Sequence, residues 1–147
     1  MLLFDLSISR LVSAWLVLGS LALADPPGEV RWRADYATAR AEAARLGRPT
    51  IIVVKSAACG WCHRLERTTL RDARVVRALN ETTVPVTLDA DDPAQSALVE
   101  SLRVEGLPTV AAVAPDGRDV ANRAGYVEAG PFLRLLQGAI DAPKGRR

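Results

Sequence analysis

Residues 50–62, which read TIIVVKSAACGWC, decide the fold. The first five residues are an unbroken β-branched run, which is typical of a strand buried on both faces. A short loop follows the run and ends at Cys59, and a helix is predicted after it, over about 61–70. The stretch therefore predicts that Cys59 and Cys62 lie where a buried strand passes into a helix.

The position of Cys59 favours a reactive thiol. Free amide N–H groups and the positive end of the helix dipole stabilise a thiolate at a helix N-terminus. A cysteine there can have a pKa well below the free value of about 8.5. Cys62, one turn further along, is expected to be better shielded and to attack a mixed disulfide formed on Cys59. Because a disulfide between residues three apart closes almost no loop and stabilises little, the pair needs an explanation other than stability.

The elements outside this stretch alternate between helix and strand. Further helices are predicted over 34–46, 72–79, 93–102 and 131–141, and further strands over 83–88, 109–114 and 119–126. Pro85 indicates an irregular or edge position for its strand, and the sequence PDGR at 115–118 is a strong hairpin turn. The order predicts an α/β fold with a central mixed four-stranded sheet flanked by helices.

The composition suits a single globular domain. The chain has 147 residues, of which 49% are hydrophobic and 24% charged, and this excludes a disordered or collagenous chain. Nineteen Lys and Arg residues against 17 Asp and Glu residues leave a formal net charge of +2. A balance that close, with only 5% aromatic residues, gives no reason to expect nucleic acid as a partner.

The N-terminal segment is interpreted as an export signal. Residues 11–24, LVSAWLVLGSLALA, carry no charge, follow Arg10 and end in the small-x-small pattern that suits signal peptidase. The run is short for a membrane span, which needs about 20 residues. A signal peptide over 1–24 is predicted, cleaved to leave a periplasmic or secreted protein; an uncleaved N-terminal anchor is the alternative. The remaining segments are a linker over 25–33, a domain over 34–141 and a basic tail over 142–147.

The arrangement of motifs along the chain is similar to that of a known family. The strand, the C-x-x-C motif and the helix are followed, about 45 residues later, by Gly-x-Pro-Thr and another strand. On this combination the chain resembles the thioredoxin superfamily over roughly 30–141, and within it bacterial extracytoplasmic thioredoxin-like domains. The resemblance rests on PTIIVV at 49–54, CGWC at 59–62, VTLDAD at 86–91, VEGLPT at 104–109, PDG at 115–117 and GY at 125–126. It implies the thioredoxin fold and thiol–disulfide oxidoreductase activity.

The resemblance also implies the layout of an active site. Cys59 is the expected nucleophile and Cys62 the resolving thiol. Pro108 is expected to be cis beside the cysteines, Leu107 to offer backbone groups to an extended substrate strand, and Trp61 to line the rim of the groove. Since the dithiol itself carries two electrons, neither a metal nor an organic cofactor is expected. The expected partners are protein thiols and disulfides, with a membrane protein as electron donor or acceptor. The direction of electron transfer stays open, with reduction of the partner favoured.

Two positions depart from thioredoxin itself. Thioredoxin has a buried acid six residues before the first cysteine and a tryptophan directly before it, where this chain has Val53 and Ala58. Without the acid, the buried thiol loses a proton acceptor, which weakens the expectation of thioredoxin-style reduction. Lys55 is interpreted as a solvated or strand-end residue, and an electrostatic effect on Cys59 is the alternative if its side chain turns toward that residue. Glu66 is interpreted as a solvent-facing helix residue.

Two other functions could use the same residues. The sequence CGWCH at 59–63 also satisfies the C-x-x-C-H pattern of c-type haem attachment. However, His63 is the only His and Met1 the only Met, so no second axial ligand of that kind remains once the signal is removed. A zinc site is disfavoured more strongly than haem, because two Cys and one His supply three ligands and the fourth is missing.

The other function is a non-catalytic binding module that presents the groove at Leu107 and Pro108. Such a module would tolerate Cys59→Ser, which an oxidoreductase would not.

Overall fold

The computed structural model describes residues 28–142. The signal peptide predicted over 1–24 lies outside the described residues, as does the predicted tail beyond its first residue. No helix of the described part is long and apolar enough to cross a bilayer.

The described residues form one mixed four-stranded sheet, as predicted. The strands are β1 (Thr50–Lys55), β2 (Val84–Asp89), β3 (Thr109–Val113) and β4 (Asp119–Ala124). Their order across the sheet is β2-β1-β3-β4; β1 runs parallel to β2 and antiparallel to β3, and β3 runs antiparallel to β4. The turn predicted over 115–118 joins β3 to β4, with Gly117 in the left-handed region at φ 95°.

Helices surround this sheet within the described range. They are α1 (Tyr36–Leu46), α2 (Gly60–Arg67), α3 (Ala73–Thr82), α4 (Ser96–Ser101) and α5 (Ala129–Asp141). The helix predicted over 61–70 is wrong at its end, because Thr68 leaves helical geometry at φ −118° and ψ −82°, and a 3-10 turn follows. The helix predicted over 93–102 likewise begins as a 3-10 turn, so only its second half is α-helical.

β1 lies in the middle of the sheet and is buried on both faces. Ile51 and Val53 belong to a hydrophobic core with side chains of α2, α3 and α5, whereas Ile52 and Val54 belong to a second core with side chains of α1. All four are at most 1% exposed. Burying a side chain of this size stabilises the folded state by about 1.5–3 kcal/mol, which explains the unbroken β-branched run.

β2 is an edge strand, as Pro85 indicates. The backbone N–H of Arg33 donates to the carbonyl oxygen of Pro85 at 2.9 Å, and Arg33 forms an isolated parallel bridge with Val86. The guanidinium of Arg33 also makes a bidentate pair with the Glu42 carboxylate on α1, with both N–O distances at 2.6 Å. The segment before α1 therefore covers the open edge of the sheet.

Candidate active site around Cys59 and Cys62

Cys59 and Cys62 form a disulfide, with their Cα atoms 5.2 Å apart. Cys59 is the N-cap of α2, and its sulfur accepts a hydrogen bond from the backbone N–H of Cys62 at 3.1 Å. The two side chains differ in exposure, because Cys62 is 2% exposed whereas Cys59 is partly exposed. Cys59 is therefore the more accessible residue of the pair, and the N-terminus of α2 favours negative charge on its sulfur.

The loop before Cys59 is held by hydrogen bonds to one of its residues, Ala57. The N–H of Ala57 donates to Oδ2 of Asp91 at 3.2 Å, and Nε2 of His63 lies 2.9 Å from the carbonyl oxygen of Ala57. Nδ1 of His63 lies 3.6 Å from a carboxylate oxygen of Glu66. Because Nε2 of His63 is engaged within the loop, this arrangement gives no support to the haem interpretation.

The loop before β3 brings Pro108 to the same end of the sheet as the cysteines. Thr109 pairs with Val54, near the end of β1 that leads into the C-x-x-C motif. The peptide bond between Leu107 and Pro108 is cis, as the resemblance implies, and the Pro108 carbonyl accepts from the N–H of Gly125 at 2.7 Å. Pro108 is buried and Leu107 half-buried. Neither backbone group of Leu107 has a hydrogen-bond partner within residues 28–142.

Trp61 lies on the surface, 56% exposed, one residue before Cys62. Its ring centroid is 5.9 Å from that of Tyr126, which follows β4. The guanidinium carbon of Arg64 lies against both rings, 5.3 Å from the Trp61 centroid and 4.9 Å from the Tyr126 centroid. Sequence reasoning identified Trp61 but missed Arg64 and Tyr126; the only signal for Tyr126 is its place in the GY motif at 125–126.

Lys55 is the last residue of β1, as the interpretation of a strand-end residue has it, but Glu66 does not simply face solvent, because the Lys55 side chain reaches it. Both side chains are only about one-third exposed, and they form an ion pair with each other. The hydrogen bond from Lys55 is the main cause that lowers the pKa of Glu66, which is therefore ionised at neutral pH. The pair lines a cavity of about 490 Å³ that also reaches Val53, the position at which thioredoxin carries its acid.

A known family accounts for these features. The thioredoxin-like domain family matches residues 36–140. The chain belongs to this family. No curated protein matches the sequence.

Solved structures share the fold of this thioredoxin-like chain. A thioredoxin from Thermus thermophilus is 28% identical with a TM-score of 0.67, over 75% of this chain and 86% of that one. The DsbH oxidoreductase is 15% identical with a TM-score of 0.66, over 79% of this chain and 88% of its own. The C-terminal domain of DsbD from Neisseria meningitidis, in its reduced form, is 21% identical with a TM-score of 0.61, over 69% of this chain and 90% of that domain.

The disulfide between Cys59 and Cys62 is the reactive group of the site. Family membership and a C-x-x-C pair at disulfide distance make this chain a thioredoxin-like thiol–disulfide oxidoreductase. Between residues 28 and 142 there is no group of three or more His, Cys, Asp or Glu side chains that could hold a metal ion.

Proposed function

We propose that this thioredoxin-like protein exchanges disulfides with other proteins outside the cytoplasm, with Cys59 as the nucleophile and Cys62 as the resolving thiol. The asymmetry of the pair carries the proposal. Cys59 is partly exposed at the N-terminus of α2, whereas Cys62 is 2% exposed one turn further along. Disulfide exchange needs an accessible thiolate that engages the partner and a second thiol that then resolves the mixed disulfide.

The exchange takes two steps when the protein reduces a partner. The Cys59 thiolate attacks one sulfur of the partner's disulfide, so that a mixed disulfide forms and the other partner sulfur leaves as a thiolate. Cys62 then gives up its proton, through solvent, to the partner thiolate that left first, and its sulfur attacks Sγ of Cys59. The bond between Cys59 and Cys62 forms, and the partner's second thiolate leaves. Two electrons have passed to the partner, and the same steps in reverse oxidise a partner dithiol.

The surroundings of Pro108 support an extended partner segment as the substrate. The N–H and carbonyl of Leu107 are unpaired within the described residues, next to the buried Pro108. Unpaired backbone groups of this kind can accept an extended peptide through main-chain hydrogen bonds. Trp61, 56% exposed within the motif, adds an apolar rim.

The N-terminal segment supports a location outside the cytoplasm. The export signal predicted over 1–24 would take the protein to a compartment in which disulfides persist; if the segment is not cleaved, it would anchor the domain there instead. A protein that reduces disulfides in such a compartment needs an electron donor, and a membrane protein is proposed for that role.

Trapping the mixed disulfide tests the proposal. The full chain is expressed in bacterial cells as the Cys62→Ser variant, free thiols are blocked at harvest, and proteins are separated without reductant. Because Cys62→Ser removes the resolving thiol, the mixed disulfide on Cys59 should persist. Covalent adducts with other proteins should therefore accumulate and should disappear after dithiothreitol treatment.

The matched control for this experiment is Cys59→Ser. That variant keeps only the buried Cys62 and should give far fewer adducts. Adducts of equal yield in the two variants would contradict the assigned roles of the two cysteines. No adduct with Cys62→Ser would contradict the proposed function.

A further inference from the structure

We propose that Arg64, held against Trp61 and Tyr126, selects partner proteins that carry a carboxylate close to the cysteine that reacts with Cys59. The inference rests on the proposed function and adds a preference among its protein substrates.

The aromatic pair fixes the position of the Arg64 side chain. Its guanidinium lies 5.3 Å from the Trp61 ring centroid and 4.9 Å from the Tyr126 ring centroid. The Tyr126 hydroxyl is itself held, 3.0 Å from the hydroxyl of Thr68, which donates to the backbone carbonyl of Arg64 at 2.7 Å. A guanidinium that rests on aromatic faces keeps N–H groups at its edge for a further acceptor.

The charge of Arg64 is not neutralised by a carboxylate of the described chain. Other arginines in this range have ion-pair partners, for example Arg33 with Glu42 and Arg74 with Asp72. The acid on the same helix, Glu66, pairs with Lys55 instead. Arg64 is exposed and forms no ion pair within residues 28–142, so its charge is available to an external carboxylate.

The reach of Arg64 fits a residue near the reacting cysteine. The guanidinium of Arg64 rests against Trp61, which comes two residues after Cys59, so its charge lies toward the N-terminal end of α2. An extended peptide rises about 3.3 Å per residue. A glutamate or aspartate within about two residues of the partner's cysteine therefore stays close to the end of α2 at which this charge lies.

The held side chain also explains why Arg64 is suited to discriminate. Arginine binds a carboxylate through two parallel hydrogen bonds. Long side chains lose conformational freedom when they form an exposed ion pair, but the aromatic rings have already restricted Arg64. The partner then gains the interaction at a smaller entropic cost.

Peptide exchange kinetics test the inference. Two synthetic peptides contain one cysteine activated as a 2-pyridyl disulfide, with either glutamate or glutamine two residues away on both sides. Attack by Cys59 places the peptide on Cys59 and releases 2-thiopyridone, whose absorbance reports the rate. The full chain with Cys62→Ser is used, so that the reaction stops at this step. The ratio of the second-order rate constants for the two peptides is the readout, because a change in the reactivity of Cys59 affects both rates alike.

The glutamate peptide is expected to react about two- to fivefold faster, which corresponds to an exposed ion pair. Adding Arg64→Gln should bring the ratio to about one. Arg67→Gln is the matched control, because Arg67 is exposed on the same helix but has no contact with the aromatic pair; it should keep most of the preference. If the two peptides react at equal rates while Arg64 is present, the inference about Arg64 is wrong but the proposed function stands. The same conclusion follows if the glutamate peptide is still preferred after Arg64→Gln. No reaction with either peptide overturns the proposed function as well.

Discussion

Asp72 combines a helix cap with an ion pair at the start of α3. Its Oδ1 accepts from the backbone N–H of Arg74 at 2.9 Å, and its Oδ2 accepts from Nη2 of Arg74 at 2.7 Å. The hydrogen bond from the Arg74 side chain is the main cause that lowers the pKa of Asp72 from 3.8 to about 2. A carboxyl group whose pKa is lowered by folding stabilises the folded state above its ordinary pKa, and this contribution is lost as the pH falls through the folded-state value.

Removing this cap should destabilise the protein in a pH-dependent way. Asp72→Ala is expected to lower the free energy of unfolding at pH 7 by about 0.5–2 kcal/mol, the usual range for a lost N-cap. The difference from the unmodified protein should shrink between about pH 4 and about pH 2, where Asp72 becomes protonated. Urea unfolding of the two proteins at pH 7 and at pH 2, followed by circular dichroism, measures the difference.

The control for Asp72 is Glu81, an exposed acid near the other end of α3. Glu81→Ala should change the free energy of unfolding by less than about 0.5 kcal/mol. An equal loss for Asp72→Ala at pH 7 and pH 2 would show that the charge of Asp72 contributes nothing.

Residue-level features differ in how far the sequence predicts them. Asp72 and Cys59 could be placed at helix starts because capping depends on a few neighbouring residues. The ion pair between Lys55 and Glu66 joins a strand to a helix, and the contact of Trp61 with Tyr126 joins residues 65 positions apart. No local pattern reports such contacts, so both escaped sequence reasoning.

At the level of elements, α1 packs on the sheet through small side chains. Ala39 and Ala43 are both fully buried at 0% exposure and belong to the core that includes side chains of β1 and β2. Protein cores are packed about as densely as organic crystals. The alanines therefore let α1 approach the strands closely.

Enlarging one of these alanines should disturb the packing of α1. Ala43→Leu is expected to lower the free energy of unfolding by about 1–3 kcal/mol, because added methyl groups force the helix away from the sheet. Ala44→Leu adds the same atoms at an exposed position on the same helix and should have little effect. Denaturant unfolding of the two variants compares them, and equal stabilities would contradict the close packing of α1.

The sequence predicts the existence of the strands and helices better than their ends. β-branched runs marked the buried strands because their packing favours those residue types. The 3-10 turns over Thr69–Arg71 and Pro93–Gln95 were missed. The second begins where the Asp92 side chain accepts from the N–H of Ala94, a local contact that does not distinguish a 3-10 turn from an α-helix. β4 ends at Ala124 rather than at 126, because Gly125 turns at φ 90° and donates to Pro108 instead.

For the whole molecule, the site depends on the order of the strands. β1 leads into Cys59, and its antiparallel neighbour β3 begins directly after Pro108, so the two loops meet at one end of the sheet. The alternation of elements predicts a mixed sheet, but no local pattern encodes which strands are neighbours. The resemblance to a known family supplied the expectation that Pro108 lies beside the cysteines.

The most direct test of the central claim is a redox titration of the full chain. The protein is equilibrated in glutathione or dithiothreitol buffers of known potential, and the dithiol fraction is counted by alkylation and mass spectrometry. The account predicts one reversible two-electron transition, with a midpoint between about −270 and −120 mV, the range of this fold. A midpoint near −270 mV favours a reductase and one near −120 mV an oxidase. If Cys59 and Cys62 show no reversible transition across these buffers, the pair is not a redox couple and the account is wrong.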